Sequence, residues 1–439
     1  MVKIAKFGGS SLSNYHQWEK VKNIVDKDES IKVVVVSAIG KDKLNTSKLT
    51  DLLILLNTHI ELGIDFETLF KEIHSKFKEI CISLNLQLDI DVELETFRKK
   101  LSTSLSKDFI VSRGEFFTAK MMSEYLGYTF IDSSACVFLN LNGEVDYDKT
   151  NQKIQELLQN NSCIILPGFY GSTPSGKIRL FSRGGSDLTG SIVANALNVN
   201  LYENWTDVDG LFVANPNIIK NPEVIKNITY RELRELSYRG ANVIHEGTII
   251  PLVHKDIPIQ IKNTDNLEAE GTTISSEFQS NGSYMTGIAG KKDYTSFNVV
   301  KRSSVSKIKV LTDVLNVFYK YKVNIENIPS GIDSFSVIVE TNQLKSCSFD
   351  LLNELHNISE ITDVKYEDQL ALIAIVGRNM ANIPGVAGKL FTTLGNKGIN
   401  IKIIAQASAE LSIIFGVSNE DYDAAIKVIY NDFYLERKL

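Results

Sequence analysis

Residues 3–13 read KIAKFGGSSLS. Lys3 to Phe7 alternates charged and apolar residues, the period of a half-buried strand, and Gly8-Gly9-Ser10-Ser11 then frees the backbone for a tight turn. A strand running into such a turn exposes several N–H groups at one point, and beside Lys6 they form a small cradle for an anion. A strand ended by two glycines is also ordinary chain punctuation, and a surface lysine is commonly only solvated. The choice between the two readings falls to the rest of the chain.

The chain has 439 residues, 43% of them hydrophobic, enough for a sizeable core and too many for one typical domain, so two or three domains are expected. A net charge of −6 argues against a nucleic-acid binder, whose footprint is a strongly basic face, and points to a small metabolite. Cys81, Cys136, Cys163 and Cys347 are scattered without a C-x-x-C spacing and read as buried thiols of a reduced protein. The first residues enter a strand without the basic and apolar regions of a leader, and no run approaches ~20 apolar residues. A soluble, cytoplasmic protein with no membrane partner is the expectation.

Up to about residue 283, runs such as IKVVVVSAIG and NSCIILPGFYG alternate with helical periodicity. Continuous β-branched runs ending in glycine mark strands covered on both faces, hence a mostly parallel α/β sheet. Leu69, Phe70, Ile73, Phe77, Ile80, Cys81 and Leu84 fall at helical spacing, and Leu94, Phe97, Leu101 and Leu105 continue it. At 283–297 the chain turns rich in glycine, serine and lysine, and a boundary is placed there. Two similar units follow, each a strand, a helix, a strand pair and a helix, with VNIE at 323–326 answered by INIK at 399–402, an internal repeat.

A second glycine turn, FSRGGSDLTGSIVANALN, follows a strand and opens a helix that Ser186 or Asp187 is placed to cap. Arg183 beside Gly184-Gly185 at that helix start brings a guanidinium, free N–H groups and the helix dipole together, a better anion site than the first. GSTPSGK at 171–177 has P-loop spacing, but Ile178 follows and the next residues alternate like a strand, so it reads as a hairpin turn. Ser112 and Glu115 satisfy a capping box. TDVDG at 206–210 lacks the third acid of a calcium loop. Two phosphate-suited turns, a lysine, an arginine and isolated acids, with no histidine near any glycine turn, suit phosphoryl transfer to a carboxylate. Such an acceptor, with a pKa near ~4, needs no general base.

Seven stretches come in the order of the aspartokinase family and span nearly the whole chain: KFGGSS at 6–11, VVSAIGK at 35–41, SRGE at 112–115, PGFYG at 167–171, RGGSD at 183–187, TDVDG at 206–210 and PSGID at 329–333. On that set the chain resembles aspartokinases. The resemblance implies an α/β/α sandwich of the amino-acid-kinase, carbamate-kinase-like type over residues 1–283. Two α+β ACT, ferredoxin-like modules follow at 284–366 and 367–439, with strand exchange between them left open by the short tail FYLERKL. It implies that ATP and L-aspartate give 4-phospho-L-aspartate and ADP, with Mg2+ beside the nucleotide, as the first step toward lysine, threonine and methionine.

Carried over by position, Lys6 neutralises the moving phosphoryl group and Asp187 holds Lys6. Gly8, Gly9, Ser10, Gly184 and Gly185 cradle phosphate. Arg183 pairs with an aspartate carboxylate and Glu115 binds its ammonium, while Ser37, Thr50, Phe169 and Ser186 line the amino-acid pocket. Thr206, Asp207, Asp209 and Phe212 fall on the nucleotide side. The resemblance implies a lysine or threonine effector around residues 304–333, with Asn324, Glu326, Ser330 and Asp333 as polar contacts, and a homodimer through the ACT modules or a dimer of dimers. No protein metal ligand is assigned. The chain departs from the family at GANVIH, where Asn242 replaces a lysine whose contact is lost or taken over by Lys255 or Lys262. It departs again at FVANPN, 212–217, where an arginine and an aspartate are missing and Asn217 stands, and at Ser306-Lys307, usually Gly-Phe. A glutamate kinase of the same fold and a non-catalytic amino-acid sensor are the rival readings. A fused homoserine dehydrogenase is not expected, because no downstream G-x-G-x-x-G is present.

Overall fold

The alternating residues 3–7 form the centre of an eight-stranded sheet in a computed structural model that describes residues 2–42, 46–182, 184–241, 244, 246–278, 285–378, 380, 383–406 and 411–435. The chain divides into one unit of Met1–Leu211, Val224–Tyr230 and Val243–Phe278, and a second of Phe212–Glu223, Arg231–Asn242 and Gln279–Leu439. In chain order the first carries β1 (Lys3–Phe7), α1 (Tyr15–Lys27), β2 (Ile31–Val36), α2 (Leu49–Leu62), α3 (Glu67–Ser83), α4 (Ile90–Lys100), α5 (Lys107–Leu126) and β3 (Thr129–Phe130). It continues with α6 (Tyr147–Asn160), β4 (Ile164–Pro167), β5 (Tyr170–Ser172), β6 (Ile178–Leu180), α7 (Gly185–Leu197), β7 (Leu201–Thr206) and β8 (Asn227–Thr229). Helix α8 (Tyr230–Tyr238) leads into the second unit, and α9 (Glu246–Val253), β9 (Ile259–Asn263) and β10 (Thr272–Ser275) complete the first.

The sheet order is β3-β4-β2-β1-β7-β9-β10-β8, and every neighbouring pair is parallel except β9 with β10. Ile4, Ala5 and Phe7 of β1 and Val33 to Val36 of β2 are fully buried, so both faces are covered and the apolar runs lack alternation where they are deepest. The chain winds outward from β1 through β2 and β4 on one side and through β7 and β9 on the other. The reversal opens a crevice at the carboxyl end of β1.

Local chemistry corrects several helix expectations. Ser106 caps α5, its hydroxyl accepting from the Phe109 amide at 3.2 Å, so Ser112 and Glu115 lie inside the helix and form no capping box. Gly184, in the left-handed region at φ 73°, precedes α7, and Ser186 and Asp187 occupy its first turn instead of capping it. Helix α4 ends at Lys100, and Leu101 and Leu105 pack on the core from the connection that follows. GSTPSGK is the turn of the β5–β6 hairpin.

The second unit is built on a six-stranded antiparallel sheet. It carries β11 (Gly287–Lys301), α10 (Lys307–Lys320), β12 (Ile325–Asn327), β13 (Ser334–Glu340), α11 (Ser348–His356), β14 (Ile361–Val376), α12 (Val386–Gly395), β15 (Ile403–Ala405), β16 (Ser412–Ser418) and α13 (Tyr422–Val428). The order is β12-β13-β11-β14-β16-β15. Strands β11 and β14 pair along nearly their full lengths, so 287–291 of β11 lie against 372–376 of β14 while 294–300 serve β13. The glycine- and lysine-rich stretch read as a boundary is therefore mostly strand.

Helix α8 packs within this unit through polar side chains at helical spacing. Glu232 is fully buried and accepts from the Thr286 hydroxyl and, at 3.0 and 3.1 Å, from Arg378 Nε. Glu235 accepts from the Ser412 hydroxyl at 3.3 Å, and Arg239 pairs with Glu326 of β12. Removing one member of such a buried pair strands the other. Glu232→Ala is expected to lower the stability of the second unit by about 3–5 kcal/mol, measured by chemical denaturation followed by tyrosine fluorescence.

Candidate active site

Three loops meet at the crevice. The Gly8 amide donates to Trp205 O at 3.0 Å, the Ser37 amide to Phe7 O at 3.1 Å, and the Gly40 amide to Gly9 O at 2.9 Å, so the turns after β1, β2 and β7 are stitched together by backbone. The glycines serve proximity here. Gly9 has ordinary right-handed angles (φ −60°, ψ −35°), but a side chain on Gly40 would sit 2.2 Å from Gly9 O. The turn after β1 continues as a single helical turn, Ser10–Leu12.

Lys6 leaves β1 almost buried, 7% exposed, and its ammonium lies 2.6 Å from Asp187 Oδ1 in the first turn of α7. Asn204 of β7, the register partner of Lys6, accepts from Lys6 Nζ at 3.3 Å and donates to Asp187 Oδ1 at 2.9 Å. The amide was not visible as a site residue in the sequence, because one polar residue within LYENWT reads only as a strand position.

On the opposite wall, α5 carries Glu115, 4% exposed, with one carboxyl oxygen left without a hydrogen-bond partner. Burial pushes its carboxyl up to about 8, against the smaller opposing pull of the Ala38 backbone and of Arg113. Arg113 is itself buried, stacked over Phe116 and Phe109 at 4.2 and 4.5 Å, with Nη2 donating to the Ser112 hydroxyl at 3.0 Å. Phe169 stands in the left-handed region, φ 80°, with its amide held by the Thr189 hydroxyl at 3.0 Å. A bulky residue in that region stores strain, which concentrates at functional sites.

Lys6, Asp187, Glu115 and Phe169 line a cavity of about 560 Å³ together with Gly8, Gly9, Ser10, Ser37, Thr50, Gly184, Gly185, Ser186, Thr206 and Asp207. The size suits small-molecule reactants. Lys41 and Lys48 line it as well, with no ion pair among the described residues. Asp209 does not line it and accepts instead from Asn263 and Asn266 at 2.7 and 3.1 Å. Phe212 belongs to the second unit, as does Asn217, whose amide closes a turn on Asn215 Oδ1 at 2.9 Å. Lys255 donates to Asn195 O at 2.7 Å and Lys262 lies 4.5 Å over the Trp205 ring, and neither lines the cavity. Arg183 and Asn242 lie outside the described residues.

A second cavity, also about 560 Å³, lies within the second unit. Ser330 lines it, beside Asn298, Asn327, Ser334, Ser336 and Gln406. Of the other proposed effector contacts, Glu326 pairs with Arg239 and Asp333 with Lys301 at 3.0 Å, while the backbone N–H of Asn324 donates to Gln343 Oε1 at 2.7 Å. Among the described residues no helix is long and apolar enough to cross a membrane.

The amino acid kinase family model matches residues 1–263, and an ACT domain model matches residues 373–433. The chain is 33% identical to Aspartokinase 3 of Bacillus subtilis (strain 168), over 99% of each chain. It is similar to the crystal structure of Clostridium acetobutylicum aspartate kinase, with a TM-score of 0.90 and 40% identity over 98% of this chain and 99% of that one. Escherichia coli aspartokinase III, solved with aspartate and ADP, shares the fold at a TM-score of 0.78 and 24% identity, covering 99% of this chain and 100% of that one.

With its pKa pushed up to about 8, the Glu115 carboxyl is mostly protonated at neutral pH and must lose that proton before it can pair with a cation. Because its folded value lies near 8, above the ~4.3 of an unfolded glutamate, its contribution to stability is fully present below about pH 4.3, falls as the pH rises from there, and is lost once the pH has passed through about 8. Affinity for an amino-acid ligand is expected to rise over the same interval, and calorimetric titration of Glu115→Gln should show weak, pH-independent binding. Gly40→Ala forces the loops after β1 and β2 apart, and a loss of kcat of about 100-fold or more is expected from misplacement of this order, read by steady-state kinetics on folded protein.

Proposed function

The chain belongs to the aspartokinase family, and from that premise we propose that it transfers the γ-phosphoryl group of ATP to the side-chain carboxylate of L-aspartate, giving 4-phospho-L-aspartate and ADP. The observation that carries the reading is the convergence of the Lys6–Asp187 pair and the buried Glu115 carboxyl on one cavity. The acceptor carboxylate, with a pKa near ~3.9, is ionised before it binds and attacks the γ-phosphorus without a base. The new O–P bond forms as the bond to the β-phosphate oxygen breaks, and the electron pair leaves with ADP.

Catalysis is then positioning and charge stabilisation. Lys6 faces the charge that moves, and Asp187 keeps the ammonium from folding away from the cavity. The glycine turn after β1 and the free amides opening α7 supply backbone donors at the positive end of a helix dipole. Glu115 takes the substrate ammonium, which supplies the missing partner of its free oxygen. Ser37, Thr50, Phe169 and Ser186 shape the acceptor side and Thr206 and Asp207 the nucleotide side, with Arg183 reserved for an aspartate carboxylate. Magnesium fits as a companion of the phosphates, because it commonly takes one or two protein carboxylates plus phosphate oxygens, and Asp187 and Asp207 line the cavity. It would spread the negative charge between phosphates.

Regulation by lysine or threonine is part of the same reading, as is placement at the head of lysine, threonine and methionine biosynthesis. Its support is the polar cavity in the second unit, and pairing of two chains through the ACT modules would let effector binding bias two states. The test is ATP- and Mg2+-dependent acyl-phosphate formation trapped with hydroxylamine, with L-aspartate, L-glutamate and no acceptor, each with and without lysine and threonine. Hydroxamate from aspartate alone is expected, with Asp187→Ala reducing it by about 1000-fold or more. Product from glutamate instead, or tight amino-acid binding without product, would replace the reading by one of its rivals.

A further inference from the structure

The amide of Asn204 is fixed by its two neighbours in a way that neither a cap nor a core contact requires. Strands β1 and β7 run parallel with Lys6 opposite Asn204, so both side chains leave the same face of the sheet, toward the first turn of α7. Asn204 is 5% exposed. Only one orientation of its amide is consistent with the surroundings: the oxygen toward the Lys6 ammonium at 3.3 Å and the nitrogen toward Asp187 Oδ1 at 2.9 Å. The reverse orientation would press NH2 against NH3+ and oxygen against carboxylate.

An ammonium carries three N–H donors. In Lys6 one is directed at Asp187 and one at Asn204, and the remaining donor is free to face the cavity that Lys6 lines. Asp187 alone would leave the ammonium able to rotate about its single partner. A carboxylate in place of Asn204 would surround Lys6 with two negative charges and cancel its attraction for phosphate. A neutral group that both accepts and donates fixes the geometry and leaves the pair's net charge at zero.

We propose that Asn204 is a positioning residue for phosphoryl transfer, holding Lys6 and Asp187 in register so that one ammonium donor of Lys6 faces the transferred group. The inference rests on the reading of Lys6 and Asp187 given above. It predicts a defect in the chemical step, separate from binding of the acceptor.

The test is steady-state kinetics of the full-length protein with ATP, Mg2+ and L-aspartate for Asn204→Leu, Asn204→Asp and Lys6→Met, each checked by thermal melting. Asn204→Leu keeps the branched shape and removes both hydrogen bonds. It is expected to lower kcat by about 10-fold or more while KM for aspartate stays within about twofold, a split that marks an interaction used in the transition state. Asn204→Asp is expected to lower kcat further and to raise KM for ATP, because its added charge repels phosphate. Both should melt within about 3 °C of the parent. Values of kcat within about twofold of the parent in the variants that fold would overturn the proposal, as would losses in kcat that follow melting temperature. If Asn204→Leu does not fold, the isosteric Asn204→Asp decides alone: parental turnover overturns the role, and reduced turnover with a raised KM for ATP supports it. Lys6→Met separates the two levels. If it retains turnover, the reading of Lys6 fails whatever Asn204 does, and if it abolishes turnover, the Asn204 results bear on positioning alone.

Discussion

The parallel pairing of β1 with β2 on one edge and with β7 on the other is the constraint from which the rest of the site follows. Because the chain winds away from β1 in both directions, no helix connection can cross above its carboxyl end, and the loops that leave the three strands must share that space. The backbone hydrogen bonds among Phe7, Gly8, Gly9, Ser37, Gly40 and Trp205 close them into one frame. Lys6 needs no further device to reach the cavity, since its strand position directs it there and its neighbour in register supplies Asn204.

The aspartokinase fold, an amino-acid-kinase sandwich followed by two ACT modules, was legible in the order of seven short motifs. Strands β1, β2, β4 and β7 were legible because their burial on both faces leaves unbroken apolar runs. Most residues assigned to the catalytic cavity also line it, since glycines and charges beside strand ends leave a strong local signal. What stayed hidden depends on contacts made at long range. Asn204 acquires meaning only from a partner 198 positions away. Ser112 and Glu115 mimic a cap in spacing, but the hydroxyl of Ser106 wins that role because it stands where the helix actually begins. Asp209 looks like a ligand in TDVDG until two asparagines, one ending β9 and one just after it, occupy it. The Gly-Lys composition at 283–297 did not announce a strand, because a strand in the middle of a sheet can carry such residues when its neighbours fill the space.

The two units hold their polar groups under different rules. At Glu115 a buried carboxyl keeps one oxygen without a hydrogen-bond partner, a condition that raises the cost of the free state and is relieved by a ligand that donates to it. In the second unit, the carboxylate of Glu232 is matched by donors from Thr286 and Arg378 and contributes to holding one arrangement of α8 against the sheet. A buried pair of this kind is weak evidence for added stability, and its clearer use is geometric definition. Surface pairs such as Lys22 with Asp26 carry little of either.

The second unit is assembled from three separate stretches of chain, with changes of unit at 211/212, 223/224, 230/231, 242/243 and 278/279. No single peptide bond therefore separates the first unit from the second. A gene cut after β10 would leave the carboxyl-terminal fragment without the α8 side chains that satisfy Arg378 and Glu326. Recombination in such a chain cannot exchange the second unit as a cassette without also rewriting residues 212–223 and 231–242. The two parts are thus tied in inheritance as well as in the polypeptide, and substitutions on α8 and on the sheet it covers are constrained to change together.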